Sequence, residues 1–361
     1  MYNMWHRCHT APGDCLNPMR HPLVKPLSFF ATAVSRGIIM DKAFHGLMIL
    51  ALAGFIDLPL VSAAEDSPAW AYPVNPPDFK LAPDDGLVRH VPDSTVEYFL
   101  PQVRDRFLAP DWHPANHPQM PEIVANGRKP DVSACGYCHR AEGTGGPENA
   151  SIAGLPFAYI VQQMGDFKSG ARSTAVPKRA PHTLMISGAK AISDAEIREA
   201  ASYFSSLTPR ANIRVVESET VPKTYVTGWF LAKSDPPEIE PIGQRIIELP
   251  DKLENFENRD GYATFTAYVP PLSIKRGEAL VTGQDAGKVP ACANCHGKDL
   301  RGIDLIPPIA GRSPTYIFRQ LHEIKIGIRA GAAIQPMKDN VAKLNNGDMI
   351  AIAAYLGSLK R

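Results

Sequence analysis

Two short runs of identical pattern constrain this chain more than anything else in it: Cys135-Gly136-Tyr137-Cys138-His139 and Cys292-Ala293-Asn294-Cys295-His296. Each places two thiols three residues apart and an imidazole directly after the second. That spacing lets both thiols form thioethers to the vinyl-derived carbons on one edge of a haem, with the adjacent His beneath the iron, so it reads as c-type haem attachment. The competing reading is a four-thiolate zinc cage built from both Cys-x-x-Cys pairs. A cage has no need of a His after each pair, and the two pairs lie more than a hundred residues apart along the chain.

The surroundings of the two motifs repeat as well. Ala153-Gly154-Leu155-Pro156 and Tyr159-Ile160-Val161-Gln162-Gln163-Met164 follow the first. Ala310-Gly311-Arg312-Ser313-Pro314 and Tyr316-Ile317-Phe318-Arg319-Gln320-Leu321 follow the second, in register after one inserted residue. Further on, Ile192-Ser193-Asp194-Ala195-Glu196-Ile197 matches Leu344-Asn345-Asn346-Gly347-Asp348-Met349, and Tyr203-Phe204-Ser205-Ser206-Leu207 matches Tyr355-Leu356-Gly357-Ser358-Leu359. The chain therefore contains an internal duplication of about ninety residues, one small domain each time.

The register also nominates the ligand opposite each His. Seven residues before Ile192 stands Met185, and seven before Leu344 stands Met337. A Met thioether opposite His favours the reduced iron and raises its potential. Met337 follows a proline, in Gln335-Pro336-Met337, and Met185 does not. Two rivals in the first repeat find no support in the duplication. Met164 aligns with Leu321 on a helical face, the position of a core residue, and His182 aligns with Ile334.

On these residues each repeat resembles a class I cytochrome c domain, over residues 119–207 and 273–361, about half the chain. The resemblance implies an all-helical domain of three to five helices around one haem, a Met-bearing loop and a terminal helix with a buried aromatic. It carries over to Cys135, Cys138, His139 and Met185, and to Cys292, Cys295, His296 and Met337. The metal ligands are then His139 with Met185 and His296 with Met337, and the cofactors two covalently bound haem c groups with their iron. In such domains a Pro carbonyl accepts the proximal His N–H. Pro307-Pro308-Ile309 looks like that segment, whereas the first repeat offers Ala150-Ser151-Ile152, so the two potentials are expected to differ.

Helical patterning stands without the resemblance. The stretch 274–281 follows Ser273, a good N-cap residue, and the break Pro270-Pro271. In 348–359 the residues Met349, Ile352, Ala353, Leu356 and Leu359 share one face. In the first repeat Ile197, Ala200, Ala201 and Phe204 do the same. These residues are core, and they keep water from the haem edge.

Residues 40–64 read as a secretory signal: Lys42, an apolar run at 46–56, then Val61-Ser62-Ala63-Ala64 as the cleavage point. The run is too short to span a bilayer comfortably, and no other stretch reaches ~18 apolar residues, so no integral membrane span is expected in the mature chain. Residues 1–39 are expected to be a mis-assigned upstream extension, with translation beginning at Met40; Cys8 and Cys15 then drop out, and the four remaining cysteines are all committed to haem. Basic and acidic residues number 38 and 37. No basic stripe points to nucleic acid or to an anionic membrane.

Residues 65–118 are Pro-rich yet carry Trp70, Tyr72, Phe79, Tyr98, Phe99 and Trp112. They read as an extended arm with a short helix near 96–107, draped over the first haem domain. His90, His113 and His117 invite a metal reading that no motif supports. Residues 208–272 are strand-prone around 213–216, 244–249 and 263–269, where β-branched and aromatic residues lie between Pro- and Gly-containing turns.

The fold class expected is mainly α: two cytochrome c-like helical haem domains in tandem, joined by a small strand-rich linker and preceded by a Pro-rich arm. The function expected is electron transfer without a catalytic residue, in the periplasm, between a donor dehydrogenase and a downstream oxidase or cytochrome. Two alternatives stay open. One is a two-haem peroxidase-like enzyme with an open position at the first haem, where His182 would act; the other is a dedicated cytochrome subunit of a dehydrogenase complex.

Overall fold

The computed structural model describes residues 67–361. The expected signal at 40–64 and the extension at 1–39 lie outside the described residues. The described chain is helical in two blocks, separated by a β-rich insertion.

The first block holds α1 (Leu100–Arg104) of the arm, then α2 (Glu122–Ala125), α3 (Cys135–His139), α4 (Phe157–Ser169), α5 (Ala180–Ala191) and α6 (Asp194–Ser206). The arm adds two short antiparallel strands, β1 (Val88–Arg89) and β2 (Tyr98–Phe99). The insertion carries β3 (Ile213–Glu217), β4 (Thr220–Pro222), β5 (Thr224–Thr227), β6 (Phe230–Lys233), β7 (Ile239–Pro241), β8 (Ile247–Pro250), α7 (Leu253–Glu257) and β9 (Phe265–Val269). The second block holds α8 (Ser273–Val281), α9 (Ala293–His296), α10 (Pro314–Lys325), α11 (Gln335–Ala342) and α12 (Asn346–Ser358).

Local chemistry sets these limits. Both terminal helices open with a reciprocal cap. Ser193 accepts from the Glu196 N–H while Glu196 accepts from the Ser193 N–H, and Asn345 and Asp348 do the same for α12. Helix α10 opens with Pro314 in its first turn and the Ser313 hydroxyl accepting from the Tyr316 N–H. Helix α4 closes on Gly170 at φ +83°, where a side chain would be strained.

Ser273 does not cap α8 as its position in the sequence suggests. It lies inside the helix, and the preceding Leu272 turns the chain at φ +64°. The cap comes from a distant strand instead: Glu217 at the end of β3 accepts from the Ile274 N–H at 2.8 Å. A longer carboxylate arriving from outside takes over the role of the local hydroxyl.

Strand β9 is the centre of the insertion. It pairs in parallel with β3 (Ile213 opposite Phe265) and antiparallel with β8 (Ile247 opposite Tyr268). Four of its five residues are buried, as in a central strand covered on both faces.

Each helical block has its own core. In the first, Ile123, Val124, Ile197, Tyr203 and Phe204 meet. In the second, Leu280, Phe318, Met349, Ile350 and Ala353 meet, all almost fully buried. The second core also takes in Ile246 and Val269 from the insertion and, unexpectedly, Ala71 and Tyr72 from the arm. Trp70 sits 4.6 Å from Phe318, centroid to centroid. The start of the arm is thus built into the second domain, and only its later part, around Val103 and Trp112, serves the first. Its aromatics drive this, because each removes a large apolar surface from water when packed. The arm's helix is also shorter than 96–107, ending where Asp105 turns to extended backbone.

Candidate functional site

Helix α3 is a single turn made of the first motif, and α9 is the corresponding turn of the second. One helical turn brings residues three apart onto one face, so Cys135 and Cys138 share a side, as do Cys292 and Cys295. The residue after each His then leaves the helix in positive φ: Gly297 at +84° and, in the first copy, Arg140 at +68°. Arg140 tolerates that conformation because its buried guanidinium folds back to donate to the Tyr137 and Cys138 carbonyls, 3.3 Å each.

Both histidines are held in the same way. His139 Nδ1 lies 2.8 Å from the Ala150 carbonyl, and His296 Nδ1 lies 2.9 Å from the Pro307 carbonyl. Burial pushes both imidazoles below their ordinary pKa, against the raising effect of those carbonyls; at His139 the nearby Arg140 and Arg172 push further down. A neutral ring whose Nδ1–H is given to a carbonyl keeps its lone pair on Nε2, the state a metal needs. Burial also pushes the thiols up, Cys135 to about 12 and Cys292 to about 11, so they rest as neutral thiols near neutrality. Among the described residues no group of three or more His, Cys, Asp and Glu is placed to hold a metal ion, so the two Cys-x-x-Cys pairs do not meet.

The two methionines differ from the expected loop setting. Met185 lies within α5 and Met337 within α11, both half-buried. Proline in the first turn of each helix, Pro181 and Pro336, suits helix initiation and draws the segment into a helix. Met337 packs against the second core, and Met164 against the first. His182, one turn before Met185, faces the other domain: its Nδ1 is 3.6 Å from Glu323 and its ring meets Phe167 edge-on. Burial, with Arg172, Arg179 and Arg319, pushes it down to about 3, so it is a poor proton acceptor near neutrality. Of the arm histidines, His90 is exposed and the other two are engaged in packing. His113 lies 3.1 Å from Asp260 and stacks on Tyr262, while His117 lies 3.0 Å from both Asp111 and the Tyr203 hydroxyl.

Between the two helical blocks lies a set of residues that motif reading passes over. Arg172 donates to Gln163 Oε1 (2.9 Å) and Gln320 Oε1 (2.8 Å); Arg329 donates to the same two oxygens (3.0 and 3.1 Å) and to the Tyr159 hydroxyl. The backbones of Arg172 and Arg329 bridge antiparallel to each other. The arrangement is a local two-fold in which two arginines that are repeat mates share two glutamine oxygens that are repeat mates as well. The register that aligns Tyr159 with Tyr316 also aligns Gln163 with Gln320 and Arg172 with Arg329, which is the signal that finds them.

The Cytochrome c family profile matches residues 274–360. The chain is 30% identical over 141 residues to "Cytochrome c4" of Azotobacter vinelandii, covering 36% of this chain and 67% of that protein. It is 26% identical over 233 residues to "Thiosulfate dehydrogenase electron acceptor" of Thiomonas intermedia, covering 63% and 80%. It is 35% identical over 94 residues to "Cytochrome subunit of sulfide dehydrogenase" of Chlorobaculum tepidum, covering 26% and 74%.

The side chains fit the cofactor this implies. Each half presents a neutral imidazole with a fixed tautomer beside two thiols on one side of a helical turn. Among the described residues, Arg140 Nε, Arg172 Nε, Arg179 Nε, Arg329 Nε and Arg312 Nη2 are buried donors without an acceptor, a set that suits the two carboxylates each haem carries. Duplicated motif, matched histidines and sequence relatives agree: the chain belongs to the cytochrome c family, as a two-haem cytochrome with covalently bound haem c that transfers electrons.

Proposed function

We propose that this protein is a periplasmic carrier that takes single electrons from a donor dehydrogenase and passes them to a downstream oxidase or cytochrome. In this reading Cys135, Cys138, His139 and Met185 hold the first haem, and Cys292, Cys295, His296 and Met337 hold the second. The observation that carries it is the pair of matched His–carbonyl contacts, which leave two Nε2 lone pairs free at equivalent places in the two repeats. When bound, haem supplies one-electron exchange between ferrous and ferric iron. The chain's residues orient and shield. Ala150 and Pro307 fix the imidazole planes, the helical cores keep water out, and Met185 and Met337, as the second ligands, would leave the bound iron no position for a substrate.

The periplasmic assignment rests on the signal-like run at 40–64 together with c-type attachment. Among the described residues no helix is long and apolar enough to cross a membrane. A second reading, a dedicated subunit of one dehydrogenase, is favoured by the names of the relatives "Thiosulfate dehydrogenase electron acceptor" and "Cytochrome subunit of sulfide dehydrogenase". Stoichiometric co-purification with a dehydrogenase distinguishes a subunit from a free shuttle.

The decisive test is the spectrum of the haem-loaded protein, oxidised, reduced, and reduced under carbon monoxide. Both haems are expected to show the long-wavelength methionine band and to refuse carbon monoxide. Met185→Ala and Met337→Ala each open one haem. Prompt carbon monoxide binding to one haem of the unaltered protein would overturn the carrier reading and favour the peroxidase-like one.

A further inference from the structure

The one-residue insertion that separates the two repeats contains an arginine. Arg312 follows Gly311 where the first repeat has Leu155 after Gly154, and its side chain is buried at 5% exposure. Its Nε donates to the Pro308 carbonyl at 2.7 Å. Its Nη1 crosses to the other domain and donates to the Ser151 carbonyl at 3.0 Å. These two acceptors have particular neighbours. Pro308 directly follows Pro307, whose carbonyl holds His296, and Ser151 directly follows Ala150, whose carbonyl holds His139. One guanidinium thus joins the two segments that orient the two histidines.

We propose that Arg312 is a positioning residue shared by both haem centres, which fixes both proximal histidine segments and raises both reduction potentials together. The proposal rests on the reading that His139 and His296 ligate iron. The physics has two parts. A planar fork donating two charge-assisted hydrogen bonds holds its acceptors more rigidly than a single-point cation does. A fixed positive charge in a poorly solvated place also disfavours the more positive, oxidised iron at each site. Leu155 can do neither, so the device exists once and serves both domains.

Arg361 provides an internal control. Its Nη2 donates to the Ser151 hydroxyl at 2.6 Å and its Nη1 to the Arg210 carbonyl, so its side-chain hydrogen bonds reach the first histidine segment, while only its backbone carbonyl accepts from the second domain, from Arg301.

The experiment is a spectroelectrochemical titration of haem-loaded Arg312→Gln, Arg312→Lys and Arg361→Gln, with haem content and the methionine band recorded on each. Arg312→Gln is expected to lower both midpoint potentials, by about a tenfold change in the reduced-to-oxidised ratio, ~59 mV for a one-electron couple. Arg312→Lys keeps the charge and loses the fork, so both potentials fall together but by less than in Arg312→Gln. Arg361→Gln, whose side chain bonds only the first segment, lowers the first potential more than the second. A fully loaded, low-spin Arg312→Gln protein in which one or neither potential moves overturns the proposal. Should that variant fail to fold, Arg312→Met decides, since it removes both charge and fork at similar volume: a fully loaded, low-spin protein in which one or neither potential moves overturns the proposal equally. Loss of a haem or of the methionine band in the unaltered protein counts instead against the ligand assignment.

Discussion

The two haem domains share a plan and differ in how their motifs are covered. In the first, residues 140–148, directly after the motif, are all buried; in the second, Lys298, Asp299, Arg301, Ile303, Asp304, Leu305 and Ile306 are exposed. The first is sealed by segments foreign to the repeat. Arg259 of the insertion donates to the Tyr137 carbonyl at 3.0 Å and stacks 3.6 Å over its ring. Gly261 accepts from the Thr144 hydroxyl, and Arg319 of the second domain donates to the Pro147 carbonyl. The second domain takes arm and insertion residues into its core but leaves the loop after its motif uncovered, and its helices are longer: α8 has nine residues where α2 has four. Duplication therefore preserves how a histidine is held, and each copy finds its own way to close the space around it.

The strongest way to break this contrast is to disturb each closure separately. Gly277 lies where α8 crosses α12, and a Cβ there would stand 1.9 Å from the Ala351 carbonyl oxygen. Gly277→Val must push two helices apart, at a cost of about 3 kcal/mol. Gly261→Val drives a side chain into the Glu142 carboxylate, 1.7 Å from its Cβ, and lifts the lid of the first domain. Hydrogen exchange is expected to quicken in α12 for the first variant and at 140–148 for the second. The same protection pattern in both variants would show that the two closures open as one unit.

How much of this is legible in the sequence depends on range. The motifs and the duplication are local patterns, so both histidines, the terminal helices and their capping boxes can be read directly. Arg172 and Arg329 occupy equivalent positions in the repeats, but nothing in one dimension says that the two copies face each other. Arg312 looks like a surface residue in a turn, because its partner Ser151 belongs to the other domain. The arm is the plainest case. Its aromatics announce packing, yet whether Trp70 meets the first domain or the second is decided by Phe318, far along the chain. Likewise Ser273 is a good local cap that loses to Glu217, which folding brings from β3.

The capping acids sharpen the contrast at the next level. Asp348 is fully buried and held by Arg276 and Lys288, whereas its repeat mate Glu196 is solvated and held by Arg128. Asp348→Asn is expected to cost about 2–3 kcal/mol and Glu196→Gln under about 1 kcal/mol, read by denaturant titration. Burial raises the Asp348 carboxyl, but Lys288, the Asn345 N–H and Arg276 outweigh it and hold it low. The Arg128 hydrogen bond and the Ser193 N–H hold Glu196 low, at about 2. A depressed carboxyl contributes stability that is present above the ordinary value of about 4 and lost as pH falls through the depressed one. Stability is therefore expected to decline from about pH 4 toward about pH 2, and Glu196→Gln flattens part of that slope. An unchanged acid limb in both variants would remove these caps from the account.

The smallest effect tests exposure itself. Cys295 and the loop after it are exposed, while Cys138 is half-buried and its loop buried, so a small reagent such as ferricyanide should oxidise the reduced protein in two phases, the second haem first. Arg259→Ala deletes the contacts to Tyr137 and the hydrogen bond to the Val103 carbonyl. It is expected to cost about 1–2 kcal/mol and, by loosening the seal, to quicken the slow phase alone. If the fast phase responds instead, the exposed haem is the first one, and the covering segments serve stability and not access. If a single phase persists in both proteins, electrons pass between the haems faster than the reagent reaches either, and exposure of one domain is enough for both.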